Sequence, residues 1–592
     1  MTLSEPIVYP RETRGLNFFD LDVNLRRLLR RRAPQLLSRH GRRLSEFGAW
    51  VGGPLDAQAA YSDRYAPPRL ESHGPDGARL GRVVSNPAYL ECHREAYRRG
   101  VVGLAYADKL APHALCFVMG YLLSQADISI HCPVTMTGAV AYVLSRLGPA
   151  RLRRDYLPQL TRMDGRAMSA GTWATELHGG SDVGATETEA RPDGKSWRLT
   201  GLKWFASNAG AELALATARP HGAPPGGKGL ACYLVPAVLP DGRANAVWAR
   251  RLKDKLGTRP LATAEIELDA AWAVQVAAPP EGLKAMMEAL EYSRIHNAVA
   301  ACAVQRRALL EALCWSYGRS AFGAAIANYP MVRDELLDLA CEQEACTALA
   351  LEAALAFDAA LTDASRRPWL RTATALAKYR TAAQGLRAAA RALELVGGNG
   401  YTEEWPTARL YRDAMVLPVW EGPANIQALE LLRVVLGKAR GDAAFLARLR
   451  QIRDALPESL ADEAGVLDRA TADCAAALAY LGARPEEGPR HARRLMDLMG
   501  DALAGALLLE EAAADLAAGD RRKAIVAARY LARRFGPRAG IGADPDPGHA
   551  VFDRIVGYAT VESPAGHKRG KATRSHGPVR RTKAGTRKGR KS

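Results

Sequence analysis

None of the nine cysteines in this 592-residue chain stands in a Cys-x-x-Cys pair, so neither a zinc site nor a disulfide framework is indicated. They are scattered through apolar stretches and read as buried thiols. No run of 18 or more uncharged apolar residues occurs, and residues 1–15 carry charges from the start where a secretory signal would need an apolar core. These absences argue for a cytoplasmic protein with no membrane span and no metal site. Acids are missing in one place: residues 565–592 hold 11 Lys and Arg and no Asp or Glu. More than half of the net charge of +18 therefore sits on that tail, and the charge elsewhere is a mixed, solvated surface.

Apolar residues make up 48% of the chain, enough for several cores at this length. Over 1–165 they recur at helical spacing, as in Val140, Leu144 and Leu147. The period changes over 166–280, where short strands alternate with Gly-, Pro- and Asp-rich turns, which fits a small antiparallel barrel or sandwich. Helical spacing returns over 281–440 in segments long enough for a bundle. A second helical region, Ala-rich and amphipathic, covers 441–535, and residues 441–564 together hold 16 Lys and Arg against 19 acids. The Gly/Pro-rich stretch 536–564 reads as a linker, and the basic tail 565–592 lacks the large apolar residues needed to fold alone. The expected fold is mainly α with a central β-barrel and a C-terminal helical extension.

Two blocks in the strand-rich region carry chemistry. Thr175-Glu176-Leu177-His178-Gly179-Gly180-Ser181-Asp182 is followed by Lys203-Trp204-Phe205-Ala206-Ser207-Asn208. Small hydroxyl residues beside a strand let a flat heteroaromatic ring reach the backbone, and Phe205 offers it an apolar face. Alone, a Gly-Gly-Ser-Asp sequence is a turn. Together the blocks resemble the flavin-binding Thr-Glu-Pro-x-x-Gly-Ser-Asp motif and the Trp-Ile-Ser/Thr strand of the acyl-CoA dehydrogenase superfamily, with Leu177 and Phe205 replacing a proline and a tryptophan.

Later blocks follow in the family's order: Arg319-Ser320-Ala321-Phe322-Gly323, Gly397-Gly398-Asn399-Gly400, Tyr411-Arg412-Asp413-Ala414 and Trp420-Glu421-Gly422. The resemblance implies FAD as cofactor, with Ala174 and Thr175 touching the isoalloxazine and Phe205 and Ser207 stacking on and hydrogen-bonding to it. It places Arg319, Phe322, Gly397 and Gly398 at the FAD pyrophosphate and adenosine across a subunit interface, which implies a homo-oligomer, commonly a tetramer. Ser181 and Arg294 would lie beside an acyl-CoA substrate. Glu421 takes the position of the catalytic glutamate, the base for the α-proton of an acyl thioester. Pro423 suits the first turn of a following helix, so Glu421 falls at a helix N-terminus, where the dipole favours its carboxylate and an apolar pocket opposes it. The bland alternative is a capping carboxylate. Some relatives carry the base immediately before the family arginine; here that position is Ser293, and Glu291, two residues further back, points off the required face.

The stretch Cys132 to Thr137, the run Arg251 to Gly257, Trp-Glu-Gly in place of Tyr-Glu-Gly, and the extension after Arg440 resemble the AidB-like branch of alkylation-response flavoproteins. That likeness implies a second function, binding of double-stranded DNA with weak or vestigial dehydrogenation. An extension with more acids than bases does not favour DNA, although the Arg521–Arg534 segment carries a local basic cluster. The tail is the other basic element, suited to duplex DNA without sequence preference. A flavin-binding interaction protein without turnover is a third reading.

Overall fold

The computed structural model describes residues 3–107, 111–537 and 546–562. The first helices begin where the sequence supplies caps: Asp22 accepts the Leu25 amide at 2.9 Å ahead of Val23–Arg32, and Asp127 accepts the Ser129 amide ahead of Ile128–Leu147. His113–Ala126 and Ile128–Leu147 are apolar nearly all round and are buried nearly throughout, as helices of the protein centre should be. Ile128–Leu147 and Pro330–Thr362 are long and apolar enough to cross a membrane, but 89% and 72% of their apolar windows are packed against other parts of the protein.

A small hairpin, β1 (Arg69–His73) and β2 (Arg79–Val84), precedes the main sheet. That sheet comprises β3 (Ala170–Trp173), β4 (Glu189–Asp193), β5 (Ser196–Ser207), β6 (Leu213–Pro220), β7 (Ala231–Pro236), β8 (Val247–Leu252) and β9 (Thr263–Ala277). Its strands pair in the order β3-β6-β4-β5-β9-β7; β7 returns to β6, and β8 adds to β9. The sheet is barrel-like but not strictly closed, since β4 meets β6 over two residue pairs and β3 pairs only with β6. Nor is it wholly antiparallel as expected: β3 and β4 both run parallel to β6. The long connection from β3 to β6 permits that crossover, and period-two patterning cannot reveal strand direction. The sheet has its own core around Trp173, Leu199, Tyr233 and Ile266.

Three long helices, Glu281–Gly318, Pro330–Thr362 and Arg367–Val396, form the bundle behind the sheet. Gly441–Asp454, Ala461–Ala483, Gly488–Ala517 and Arg522–Phe535 make the extension. It is no separate bead: Leu449, Leu467, Leu503 and Val526 belong to the same continuous core as Leu310 and Leu349 of the bundle.

The basic cluster at Arg521–Arg534 is turned largely inward. Arg522 and Lys523 are buried on Glu344, Arg529 reaches Asp334 and Asp338, and Arg534 pairs with Glu342. Two cations beside it hold the Glu344 carboxyl at about 2 despite its burial. Acids of the Pro330–Thr362 helix thus neutralise these bases.

The expected linker 536–564 is folded in part. Phe552, Ile555, Val556, Tyr558 and Val561 are buried; Leu3 bridges Ala559 in parallel, and Tyr9 Oη donates to the Val556 carbonyl at 2.6 Å. Its apolar spacing, masked by flanking Gly and Pro, gives it something to bury. The tail 565–592 lies outside the described residues. All nine cysteines are free; eight are buried, and Cys132 is half-buried.

Candidate active site

The turn after β3 is anchored by one carboxylate. Glu176 accepts Lys203 Nζ at 2.7 Å, Thr188 Oγ1 at 2.6 Å and the Glu187 amide at 2.6 Å. Burial pushes the Glu176 carboxyl up, but Lys203 and these hydrogen bonds pull harder and leave it below its ordinary range. The pair ties the turn to β5, and the Thr175 carbonyl accepts the Trp204 amide at 2.9 Å. Ala174 and Thr175 are thereby set beside the stretch that carries Phe205 and Ser207. Phe205 is 56% exposed, and Lys253 Nζ lies 4.9 Å from its ring centroid. Ser207 Oγ is 3.0 Å from Thr263 Oγ1, while Trp173 Nε1 donates to the Ser207 carbonyl at 3.2 Å. Ser181 and His178 are exposed further round the turn.

A second group lies at the C-terminal ends of two bundle helices. Arg319 follows Glu281–Gly318 and Gly397 follows Arg367–Val396. A Cβ at Gly397 would be 3.7 Å from Arg319 Nη1, so residues distant in sequence meet here. Phe322 sits at the tip of the hairpin Ser320–Ala321/Ala324–Ala325 at φ 51° and is 98% exposed; Gly398 and Tyr401 are exposed beside this surface.

Glu421 belongs to a third group, the loop that precedes the helix Ala424–Val435. Four side chains from three helices hold that loop by its carbonyl oxygens. Asn297 Nδ2 donates to Leu417 O at 3.2 Å, and Arg294 Nε to Glu421 O at 3.1 Å. Gln427 Nε2 donates to Glu421 O at 2.8 Å, and Lys378 Nζ to Gly422 O at 2.7 Å and Pro418 O at 3.3 Å. Glu421 itself takes φ 60°, an uncommon conformation that this clamp sustains.

The side chain of Glu421 is not spent on structure. Its Oε2 is shut off from solvent and has no hydrogen-bond partner, and no side chain caps the following helix, which removes the capping alternative. Burial pushes the carboxyl up to about 7, against the pull of Arg294 and Lys378. Glu291 also has a raised carboxyl, through burial opposed by Arg294 and Arg371, and its Oε1 is likewise unpartnered. Ser293, where some relatives carry the base, buries an unpartnered hydroxyl.

Several residues that motif reading passed over connect the groups. Lys255 Nζ donates to Thr263 Oγ1 at 3.2 Å, continuing from Ser207, and both Glu421 and Lys255 act electrostatically on the Cys132 thiol, which burial pushes up to about 12. Lys378, Asn297 and Gln427 had no motif to mark them. His131 and His296 form a buried pair with ring nitrogens 2.9 Å apart.

Residues 171–271 and 280–436 match the families described as acyl-CoA dehydrogenase, middle domain, and acyl-CoA dehydrogenase, C-terminal domain. Residues 9–164 match the adaptive response protein AidB N-terminal domain. The chain belongs to the acyl-CoA dehydrogenase superfamily. It is 33% identical to the putative acyl-CoA dehydrogenase AidB of Escherichia coli over 66% of this chain and 74% of that one. It is 31% identical to acyl-CoA dehydrogenase family member 11 of Caenorhabditis elegans, over 73% and 72%. The crystal structure of C. elegans ACDH-11 in complex with C11-CoA superposes with a TM-score of 0.83 at 26% identity, covering 94% of this chain and 96% of that one. Within the superfamily the chain falls in the AidB-like branch.

FAD is the cofactor of this family. The residues present fit it: the half-exposed Phe205 ring stands beside the exposed Gly180-Ser181 turn, leaving polar and aromatic surface for a flat ring.

Gly422 tests the clamp. It takes φ 97°, and a Cβ there would be 2.9 Å from Gln427 Nε2. Gly422→Ala is expected to destabilise the protein by about 1–3 kcal/mol through backbone strain and the displaced amide. Thermal unfolding checks this, and an unchanged midpoint would mean that the loop tolerates other conformations.

Proposed function

We propose that the chain catalyses α,β-dehydrogenation of an acyl-CoA thioester with Glu421 as the base. The observation that carries this reading is the Glu421 carboxylate, its Oε2 shut off from solvent and unpartnered, poised near neutral pH on a clamped loop beside Arg294. A general base works best with a pKa near the operating pH, and burial supplies it here. When bound, FAD accepts the β-hydride in this chemistry. Glu421 takes the α-proton; the two C–H bonds that break leave a carbon–carbon double bond conjugated with the thioester. Clamping the backbone while leaving Oε2 free fixes the direction of approach without occupying the oxygen that must accept the proton. The C11-CoA bound to C. elegans ACDH-11 supports an acyl-CoA as substrate.

In this reading Ala174, Thr175, Ser181, Phe205 and Ser207 hold the flavin end of the cofactor, and Ser181 and Arg294 face the substrate. Arg319, Phe322, Gly397 and Gly398 serve a neighbouring copy. A ring as exposed as Phe322 and a Tyr401 that is 82% exposed support a homo-oligomer, which we take to be a cytoplasmic tetramer. Mixing FAD-loaded protein anaerobically with a panel of acyl-CoAs should bleach the visible flavin absorbance. Glu421→Gln should retain FAD and lower the bleaching rate by on the order of 10²- to 10⁴-fold. Equal rates in the two proteins would remove Glu421 from the chemistry.

A second reading, DNA association in an alkylation response, is favoured by the likeness to AidB and by the 11 uncompensated bases of 565–592. The neutralised Arg522–Phe535 helix leaves the tail as the candidate element. If roughly six to ten of its charges meet phosphates, duplex affinity should fall by roughly 10³- to 10⁵-fold between about 50 and 200 mM salt, without sequence preference. Truncation at Pro564 should abolish that salt-dependent binding. Equal affinities and salt slopes with and without the tail would dismiss it.

A further inference from the structure

Lys378 lies near the middle of the Arg367–Val396 helix, 1% exposed, in a stretch whose neighbours Thr374, Ala375, Leu376 and Ala377 are also buried. An ammonium at such a site is costly unless its protons are accepted and its charge is balanced. Both needs are met at one place. Nζ donates to the carbonyls of Pro418 and Gly422, the two that bracket Glu421 along the chain. The charged groups that act on it are Glu421, from the loop, and Arg294, from the Glu281–Gly318 helix. Gln427 and Asn297, the remaining donors to the loop, carry no charge.

We propose that Lys378 is a positioning residue for Glu421: its ammonium pins the backbone on both sides of the base and gives the carboxylate a nearby counter-charge. This rests on the reading of Glu421 as the base. The division of labour among the four clamp residues follows from their chemistry. Asn297 and Gln427 supply neutral hydrogen bonds and fix position only. Arg294 adds a guanidinium donor. Lys378 alone couples the geometry of the loop to protonation, since burial lowers it to about 7, with Glu421 opposing that fall and Arg294 adding to it. Glu421 and Lys378 therefore titrate as a pair. Around neutrality the charged forms of the two groups compete with the neutral acid and amine, and deprotonation of Glu421 strengthens the bonds that hold its own loop.

The experiment compares FAD-loaded wild type with Lys378→Gln, which keeps a donor without the charge, and Lys378→Arg, which keeps the charge. The rate of flavin reduction by acyl-CoA is measured against pH. Lys378→Gln should retain FAD, reduce at least about tenfold more slowly at neutral pH, and show the rise of rate with pH displaced upward by about one unit, because the carboxylate has lost a counter-charge. Lys378→Arg should keep the rise where wild type has it. A merely structural role would lower the rate without moving the rise, so an unmoved rise in Lys378→Gln overturns the proposal.

Thermal stability against pH separates this outcome from failure of the base reading. A lysine at about 7 in the folded chain and about 10.4 unfolded binds fewer protons when folded, so stability rises with pH across that window. In Glu421→Gln the lysine loses its partner, its pKa falls further, and the rise should begin at a lower pH than in wild type. If no acyl-CoA reduces wild type, or if the Lys378 variants do not fold, this comparison still decides: an onset unchanged by Glu421→Gln overturns the pairing.

Discussion

Holding a carboxylate out of water is costly, and the cost is tolerable only where nearby cations and a rigid backbone offset it. The Glu421 loop meets that condition by an indirect route. Arg294, Asn297, Lys378 and Gln427 bond to the carbonyl oxygens of the loop and leave Glu421 Oε2 free. A direct salt bridge to the carboxylate would have held it below the usual carboxylate range, as Lys203 and its companions do for Glu176. One protein thus carries two buried glutamates with opposite fates. Glu176 is saturated with donors and ties the flavin-motif turn to the sheet, whereas Glu421 is under-bonded and basic enough to act near neutral pH.

The rest of the architecture supports this contrast. The clamp draws on three helices, so their packing must be fixed to a fraction of an ångström for all four donors to reach one loop. The extension contributes by continuing the bundle core, and its basic helix is locked to the acids of Pro330–Thr362. The strap 546–562 closes the arrangement by joining the N-terminal arm to the extension: Ile7 donates to Gly557 O, and Arg521 to Val561 O. What is left open, Phe205 on the sheet and Arg319, Phe322 and Gly398 at the helix ends, is where a flat cofactor and a second subunit would find surface.

The sequence of helix, sheet and helix regions was legible because periodicity changes sharply at their borders, and the family blocks were legible because Gly, Ser and charged residues stand out at fixed offsets. The clamp was not. Asn297, Lys378 and Gln427 sit among other polar residues of their helices, and nothing in the spacing tells which of them faces the loop. Strand direction was hidden for a similar reason: alternation reports the buried face, and β3 and β4 alternate alike whether parallel or antiparallel to β6. Arg522, Lys523 and Arg529 looked like a surface cluster because their partners Glu344, Asp334 and Asp338 lie in a helix far away in sequence.

The pH dependence of acyl-CoA-driven flavin reduction in a single turnover tests most directly whether a desolvated Glu421 is the base. The base acts in its ionised form, so the rate should rise as pH increases through about 7 and level off above it. A rate already level at pH 5.5 would mean a carboxylate with an ordinary, solvated pKa, and would contradict the assignment of Glu421 as a buried base.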